Sequence, residues 1–287
     1  KSESMTSCPC LFVSDLHGEM DRYQKLVDVI RGERPTIVFL GGDLLPFERN
    51  RSNGDFTSEV LMPEFEALST ELGDDAPRVM LILGNDDPRS HEATIVEAQG
   101  RGVWEYLHMR SAVVDEFTIF GYGCVPPTPF QLKDWERYDV SRYVDPGCVS
   151  PEEGVRTVPM SSEETRRRTI REDLRTLTND RDLSHAVILL HTPPYGSPLD
   201  RAALDGQTVD HAPLDVHVGS IAVQRFIEER QPLLTLHGHI HESPRLTGSW
   251  RYRFGRTHAF TAAHDGPELA VVRFDLHDLE AATRELL

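Results

Sequence analysis

The sequence predicts an α/β fold, and three observations carry that prediction. Short apolar runs alternate with stretches of helical periodicity over most of the 287 residues, the pattern of strands joined by crossover helices. From Val113 the runs shorten and alternate apolar with polar, which turns the expected sheet from parallel to mixed. Successive runs also end in Asp, Asn or His beside Gly or Pro, at the strand ends where open α/β sheets keep their sites.

Taken in order, Cys10 to Ser14 (CLFVS) reads as a buried strand, followed by a helix near Glu19 to Arg31 with Tyr23, Leu26, Val27 and Ile30 on one face. Pro35 to Leu40 is the second strand. A polar loop at Pro46 to Asp55 leads to a helix near Thr57 to Leu72, a third strand at Arg78 to Leu83 and a helix starting near His91. Phe117 to Tyr122 suggests a hairpin. Residues 123–160 hold Pro126, Pro127, Pro129, Pro146, Pro151 and Pro159, too many breakers for a regular element. Phe130, Trp135, Tyr138 and Tyr143 make the segment too aromatic for disorder, so it reads as an ordered functional loop or lid. One charged helix is expected over Ser162 to Thr178 with Ser162 as N-cap. A strand at Ala186 to Leu190, a helix at Ser220 to Arg230, a strand at Leu233 to Leu236 and a β-rich end with a run at Leu269 to Asp275 complete the chain. With the four residues before Met5 set aside, 5–287 reads as a single domain.

Composition narrows the function. The chain carries 30 Lys and Arg against 47 Asp and Glu, a formal charge of −17, which opposes any partner held mainly through phosphate-backbone electrostatics. Nucleic acid and anionic membrane are therefore disfavoured as partners. No apolar stretch is long enough to span a bilayer, and Cys8, Cys10, Cys124 and Cys148 are too few and irregular for a disulfide framework, so the chain reads as soluble and cytoplasmic. Cys8 and Cys10 read as alternate residues entering a buried strand. Homo-oligomerisation is left open.

Five strand ends carry the chemistry. Asp15 and His17 follow the first, spaced so that an extended chain would point both to one side, where a carboxylate and an imidazole can share a metal ion. Gly41-Gly42-Asp43 ends the second, putting at the strand mouth a carboxylate whose two oxygens can bridge two cations. Gly84-Asn85-Asp86-Asp87-Pro88 ends the third, where the Asn85 carbonyl is a neutral hard ligand. His191-Thr192-Pro193-Pro194-Tyr195 and His237-Gly238-His239-Ile240-His241 end the last two. His239 and His241 can enter one cleft, whereas His237 is on the opposite phase and reads as structural. Each segment alone is explained equally well by turns and caps. Their ordered recurrence is not.

This ordered set resembles the calcineurin-like metallophosphoesterase superfamily over residues 11–241, in a prokaryotic branch with Gly-Asn-x-Asp in place of Gly-Asn-His. The resemblance implies a sandwich of two mixed β-sheets flanked by helices. It implies that Asp15, His17 and His241 hold one metal, that Asn85, His191 and His239 hold a second, and that Asp43 bridges them. The implied cofactors are two divalent ions, Mn²⁺ first, with Fe, Zn²⁺ or Ni²⁺ as alternatives. Two such ions lower the pKa of a bridging water and supply hydroxide to attack a small phosphate-ester substrate, with Asn85 stabilising charge on the phosphoryl oxygens. Many members carry a proton-donating His directly after the Asn; here Asp86 stands there, and Asp87 is weighed both as a general acid and as a residue that orients a ligand or caps a helix. The missing His and the acidity tilt the expectation toward phosphodiesters, with a phosphomonoesterase or nucleotidase as the alternative. A non-hydrolytic scaffold, a nuclease and a β-lactamase-like hydrolase are weaker readings. All seven ligands are present, the chain is acidic, and His241 is followed by Glu242 and Ser243 where the last reading needs an Asp-His pair. Lys133, Arg137 and Arg142 could engage a phosphate, but solvated or salt-bridged charge is the reading preferred for each. Ser220 is read as an N-cap.

Overall fold

The computed structural model describes residues 7–47 and 55–287; the loop expected at Pro46 to Asp55 falls mostly outside them. β1 (Pro9–Val13) leads through α1 (Met20–Glu33) to β2 (Ile37–Gly41), and α2 (Met62–Leu72) leads on to β3 (Arg78–Ile82). After α3 (Glu92–Gly100) comes the short β4 (Glu105–Tyr106), and these four strands pair in parallel. β5 (Arg110–Val114) and β6 (Phe117–Tyr122) form the expected hairpin. Two short helices follow, α4 (Ser162–Arg167) and α5 (Ile170–Thr178), then β7 (Ala186–Leu190), a small ribbon of β8 (Thr208–Val209) and β9 (Ala212–Pro213), α6 (Ile221–Arg230) and β10 (Leu234–His237). α7 (Ser243–Thr247), β11 (Arg251–Phe254), β12 (Thr257–Thr261), β13 (Ala270–Asp275) and β14 (Asp278–Leu286) end the chain.

The strands build two six-stranded sheets, in the orders β14-β13-β1-β2-β3-β4 and β11-β12-β10-β7-β6-β5. Each is mixed: parallel strands occupy the centre, while the β13–β14 and β5–β6 hairpins and the β11–β12 pair add antiparallel edges. The sheets face each other across one core in which Phe12, Phe39, Met80 and Ile82 meet Val187, Leu189, Leu234, Leu236 and Phe260. Phe274 joins the two halves, stacked 6.1 Å from Phe39 and edge-on to Phe260 at 5.8 Å. The alternate residues point outward: Leu11, Val13, Val38 and Leu40 lie with Leu26, Val27 and Ile30 of α1, while Ile188 and Leu190 lie with Leu174, Val223 and Ile227 of α5 and α6. Central strands covered on both faces read as continuous apolar runs, which is why CLFVS, IVFL and AVILL were legible as strands.

Two expectations change. The helix expected over Ser162 to Thr178 is broken at Arg168 and Thr169, both extended, because Thr169 Oγ1 accepts from Glu172 N at 3.2 Å and the Ile170 amide donates to Tyr138 O at 2.8 Å. The helical periodicity runs through this break, so only the cap and the long-range pairing reveal it. The N-cap of α4 is Ser161, not Ser162: its Oγ accepts from Glu164 N at 3.1 Å.

Residues 125–139 form no helix but are fastened into the body. Trp135 is fully buried and its Nε1 donates to Asp87 O at 2.8 Å. Asp134 accepts from Arg89 N at 2.7 Å, and Asp139 accepts from Ile221 N at 2.7 Å at the start of α6, whose N-cap is Ser220 as expected. The three cations singled out in the sequence, Lys133, Arg137 and Arg142, are paired. Lys133 meets Glu136 at 2.5 Å with both buried, Arg137 lies 3.5 Å from Glu164, and Arg142 lies 2.7 Å from Glu152. Among the described residues no helix is long and apolar enough to cross a membrane.

Candidate metal centre

At their carboxyl ends β1 and β2 stay side by side. Asp15 N donates to Gly42 O at 3.0 Å, His17 N to Asp43 O at 2.8 Å and Gly18 N to Leu44 O at 2.9 Å. Holding this register bends the chain into the left-handed region at Asp15 (φ 57°), His17 (φ 48°) and Asp43 (φ 53°), and His239 repeats it at φ 72°. This corrects the extended-chain spacing assumed for Asp15 and His17. Each such residue costs roughly 1–3 kcal/mol, a strain that collects where surrounding structure must hold a functional group. Gly42 is required here: its φ is +94°, and a Cβ would sit 2.7 Å from His191 Nδ1.

The side chains then converge. One group contains Asp15, His17, Asp43 and His241 and another Asp43, His191 and His239; within each group one candidate ligand atom per residue lies within 4.8 Å of the others. Asp43 belongs to both. Its Oδ2 lies 3.1 Å from His191 Nε2 and 4.0 Å from His17 Nε2, while its Oδ1 accepts from Asp86 N at 2.9 Å. Asn85 Oδ1 faces His191 Nε2 at 3.1 Å, so all seven residues singled out in the sequence come together. His241, 32 % exposed, and Asp86, 25 % exposed, open the cluster to solvent; the other ligand candidates are largely buried. A cavity of about 400 Å³ lined by Phe65, Arg78, Trp104 and Tyr106 holds none of them.

Neighbouring groups fix each side chain. His191 Nδ1 donates to Gly41 O at 2.7 Å, which turns Nε2 toward Asp43 and Asn85. Ser14 Oγ donates to Asp15 Oδ2, His239 N donates to Asp15 Oδ1 at 3.0 Å, and Phe47 stacks on His17 with centroids 4.5 Å apart. Ser14, Phe47 and Arg22, whose guanidinium donates to Asp15 O at 2.6 Å, were not singled out in the sequence, and only the adjacency of Ser14 to Asp15 could have signalled any of them. His237 is the structural residue its phase suggested, with Nδ1 on Thr192 O at 2.9 Å and Nε2 on Thr235 Oγ1 at 2.8 Å.

Asp87 is buried and belongs to neither ligand group. Its carboxylate accepts from Leu45 N and Gly84 N at 2.8 Å each and from Leu44 N at 2.9 Å, tying the loop after β2 to the loop after β3. Both oxygens accept from backbone donors, a geometry that holds the two loops together. Nor does Asp87 cap a helix. The turn after Pro88 takes Asp134 instead.

Electrostatically the site demands positive charge. Burial alone would disfavour the imidazolium of His191, but the Asp43 and Asp15 carboxylates outweigh it and raise its pKa to about 10. His241 likewise rises to about 9 against burial, chiefly through Asp15. Burial would raise Asp43, yet His191 and His17 hold it down to about 2, and Asp15 is lowered further through His241. Carboxylates that draw protons onto neighbouring imidazoles draw metal ions by the same field.

The residues fit divalent ions. Nε2 of His17 and of His241 face each other at 3.2 Å, and His17 Nδ1 is buried without a hydrogen-bond partner among the described residues. Two nitrogen bases aimed at one point beside a carboxylate suit a metal better than they suit each other.

The fold recurs elsewhere. The chain is similar over 98 % of its length to a solved structure at TM-score 0.62 and 17 % identity, covering 99 % of that chain. It is similar to TT1561 of Thermus thermophilus at TM-score 0.56 and 16 % identity, over 98 % of this chain and 99 % of that one. Likeness at these identities speaks for the fold. No curated protein matches significantly. The family model of the calcineurin-like phosphoesterases matches residues 8–243, from the strand that presents Asp15 to the turn beyond His241. With two mixed sheets flanked by helices and an Asp/His cluster at the strand ends that could hold metal, this chain belongs to the calcineurin-like phosphoesterase family.

Proposed function

We propose that the protein is a dinuclear metal-dependent phosphoesterase that prefers phosphodiesters. The observation that carries the reading is the sharing of Asp43 between two ligand groups. Asp15, His17 and His241 would hold one ion and Asn85, His191 and His239 the other, with Asp43 between them. When bound, such a pair supplies an acidified water and neutralises charge on a phosphoryl group. The chain does the rest. The carbonyls and amides around Asp15, Asp43 and His191 fix ligand direction, and the Asn85 amide, whose Nδ2 donates to Asp86 Oδ1 at 3.1 Å, would stabilise charge on a phosphoryl oxygen.

The diester preference rests on charge. Asp86 stands 4.0 Å from His17, where many relatives implied by the motif have a His, and a diester brings less negative charge to a chain of net charge −17 than a monoester does. Residues 125–139 buttress the loop after β3 through the Trp135 hydrogen bond to Asp87 O. The test is turnover of an aryl phosphodiester against the matching monoester with Mn²⁺, Fe²⁺, Zn²⁺ or Ni²⁺. Diester hydrolysis faster than monoester hydrolysis, and abolished in His239→Ala, is the expected result; equal or faster monoester turnover removes the preference, and near-normal turnover by His239→Ala removes the site.

A further inference from the structure

We propose that His217, oriented by buried Asp200, is the residue that protonates the leaving group, replacing the His absent after Asn85; this rests on the phosphoesterase reading above. Asp200 is fully buried and its carboxylate is immobilised, accepting from Gly196 N at 2.9 Å, Gly219 N at 3.1 Å and His217 Nδ1 at 2.7 Å. A carboxylate on Nδ1 fixes the ring and presents Nε2 outward. His217 is 34 % exposed, and its Nε2 has no hydrogen-bond partner among the described residues. Its backbone is held as well: His217 N donates to Asp215 Oδ1 at 2.9 Å, and Asp215 Oδ2 accepts from Tyr195 OH at 2.7 Å. Tyr195 packs edge-on to the imidazole with centroids 6.0 Å apart.

The loop that carries this pair is fastened to both strand ends that supply the cluster's histidines. Ser220 N donates to Pro193 O at 2.9 Å and Tyr195 N to Ser220 O at 3.0 Å, just past His191. Ser243 Oγ donates to Pro198 O at 2.7 Å and Ala203 N to Glu242 Oε1 at 3.1 Å, just past His241. The loop that carries the dyad is therefore tied to the segments that follow His191 and His241. A surface His bound to a surface Asp would be an ordinary ion pair; a partly exposed His on a fully buried, triply bonded Asp is built to hold an imidazole in one direction.

In the step assigned to it, the oxygen of water forms a bond to phosphorus and the bond from phosphorus to the leaving oxygen breaks. The electron pair departs on that oxygen, which takes the proton from Nε2. Neutral imidazole remains with Nδ1–H on Asp200, and the proton released by the attacking water returns through solvent.

The test compares kcat/KM for 4-nitrophenyl and phenyl esters of the same phosphodiester in wild type, His217→Gln and Asp43→Asn, with metal content measured on each. General acid catalysis contributes about 10²–10⁴-fold and matters least for a leaving group that departs unaided. His217→Gln is expected to retain wild-type metal content and to lose less than about 3-fold on the nitrophenyl ester and about 100-fold or more on the phenyl ester. Equal losses on both esters, or no loss on either, overturn the assignment. If Asp43→Asn loses both activities while His217→Gln treats both esters as wild type does, this inference alone fails; if Asp43→Asn keeps both, the metal-site reading fails and takes this inference with it. Asp200→Asn, as a positioning variant, should show the same leaving-group selectivity at smaller amplitude.

Discussion

Replacing Asp87 by Asn separates the two roles this residue could play. The wild-type carboxylate takes three backbone N–H groups, those of Leu44, Leu45 and Gly84, in a fully buried position. Asn offers one oxygen and one NH₂ group, so at least one of the three amides faces a donor. A buried donor left unsatisfied costs about 1–3 kcal/mol, partly offset because burial pushes the Asp87 carboxyl up to about 7 and the neutral amide escapes that penalty. A net loss of about 1–2 kcal/mol is expected in denaturant-induced unfolding at pH 7.5. The same amides set the loops that carry Asp43 and Asn85, so kcat/KM should fall about 10–100-fold with weakened metal affinity. The fall should be equal for activated and unactivated leaving groups. Unchanged stability together with a loss confined to the unactivated ester would refute the positioning role and return Asp87 to general acid.

Three further outcomes follow from the geometry. Gly42→Ala should abolish the site, because the backbone at φ +94° resists any Cβ and the added carbon would press on His191; soluble, metal-replete Gly42→Ala would contradict this. Stability should fall on acidification through His108, whose pKa burial and the nearby Arg89 and Arg137 depress to about 3 and whose Nδ1 accepts from Gly123 N at 3.1 Å. Above about 6.5 neither state protonates it; below that only the unfolded chain does, so its contribution is lost as pH falls from 6.5 toward 3, by about 1.4 kcal/mol at pH 5.5. His108→Asn keeps an acceptor for Gly123, and its deficit against wild type should shrink by that amount between pH 7.5 and 5.5; a constant deficit would show that the ring does not titrate on unfolding. Removing Lys133 as Lys133→Met strands the Glu136 carboxylate in a fully buried position and should cost about 3–5 kcal/mol in thermal or denaturant unfolding, whereas the double variant with Glu136→Leu should recover most of it; additive losses would argue against a coupled pair.

The parts of the fold legible in the sequence were those written in local pattern. CLFVS, IVFL and AVILL are strands covered on both faces, and the ends of those strands carry Asp15, Asp43 and His191 because the sheet edge is where backbone gives way to side chains that face a cleft. What was hidden depends on partners far away in the chain. The left-handed turns at Asp15 and His17 are imposed by the amide-to-carbonyl ladder to Gly42 and Asp43, which no local propensity encodes. The break at Arg168 comes from pairing with Tyr138, and the role of Asp87 comes from amides of Leu44 and Leu45. Asp200 and His217 are 17 residues apart in a loop with no periodicity, so their pairing appears only in three dimensions.

If Asp43 is shared by two ions, metal stoichiometry will show it. Apo protein titrated with Mn²⁺ and followed by calorimetry and electron paramagnetic resonance should take up two ions per chain that are magnetically coupled. Asp43→Asn should bind at most one tightly and lose the coupling while remaining folded. A single uncoupled ion in the wild type, or two coupled ions retained in Asp43→Asn, would contradict the account.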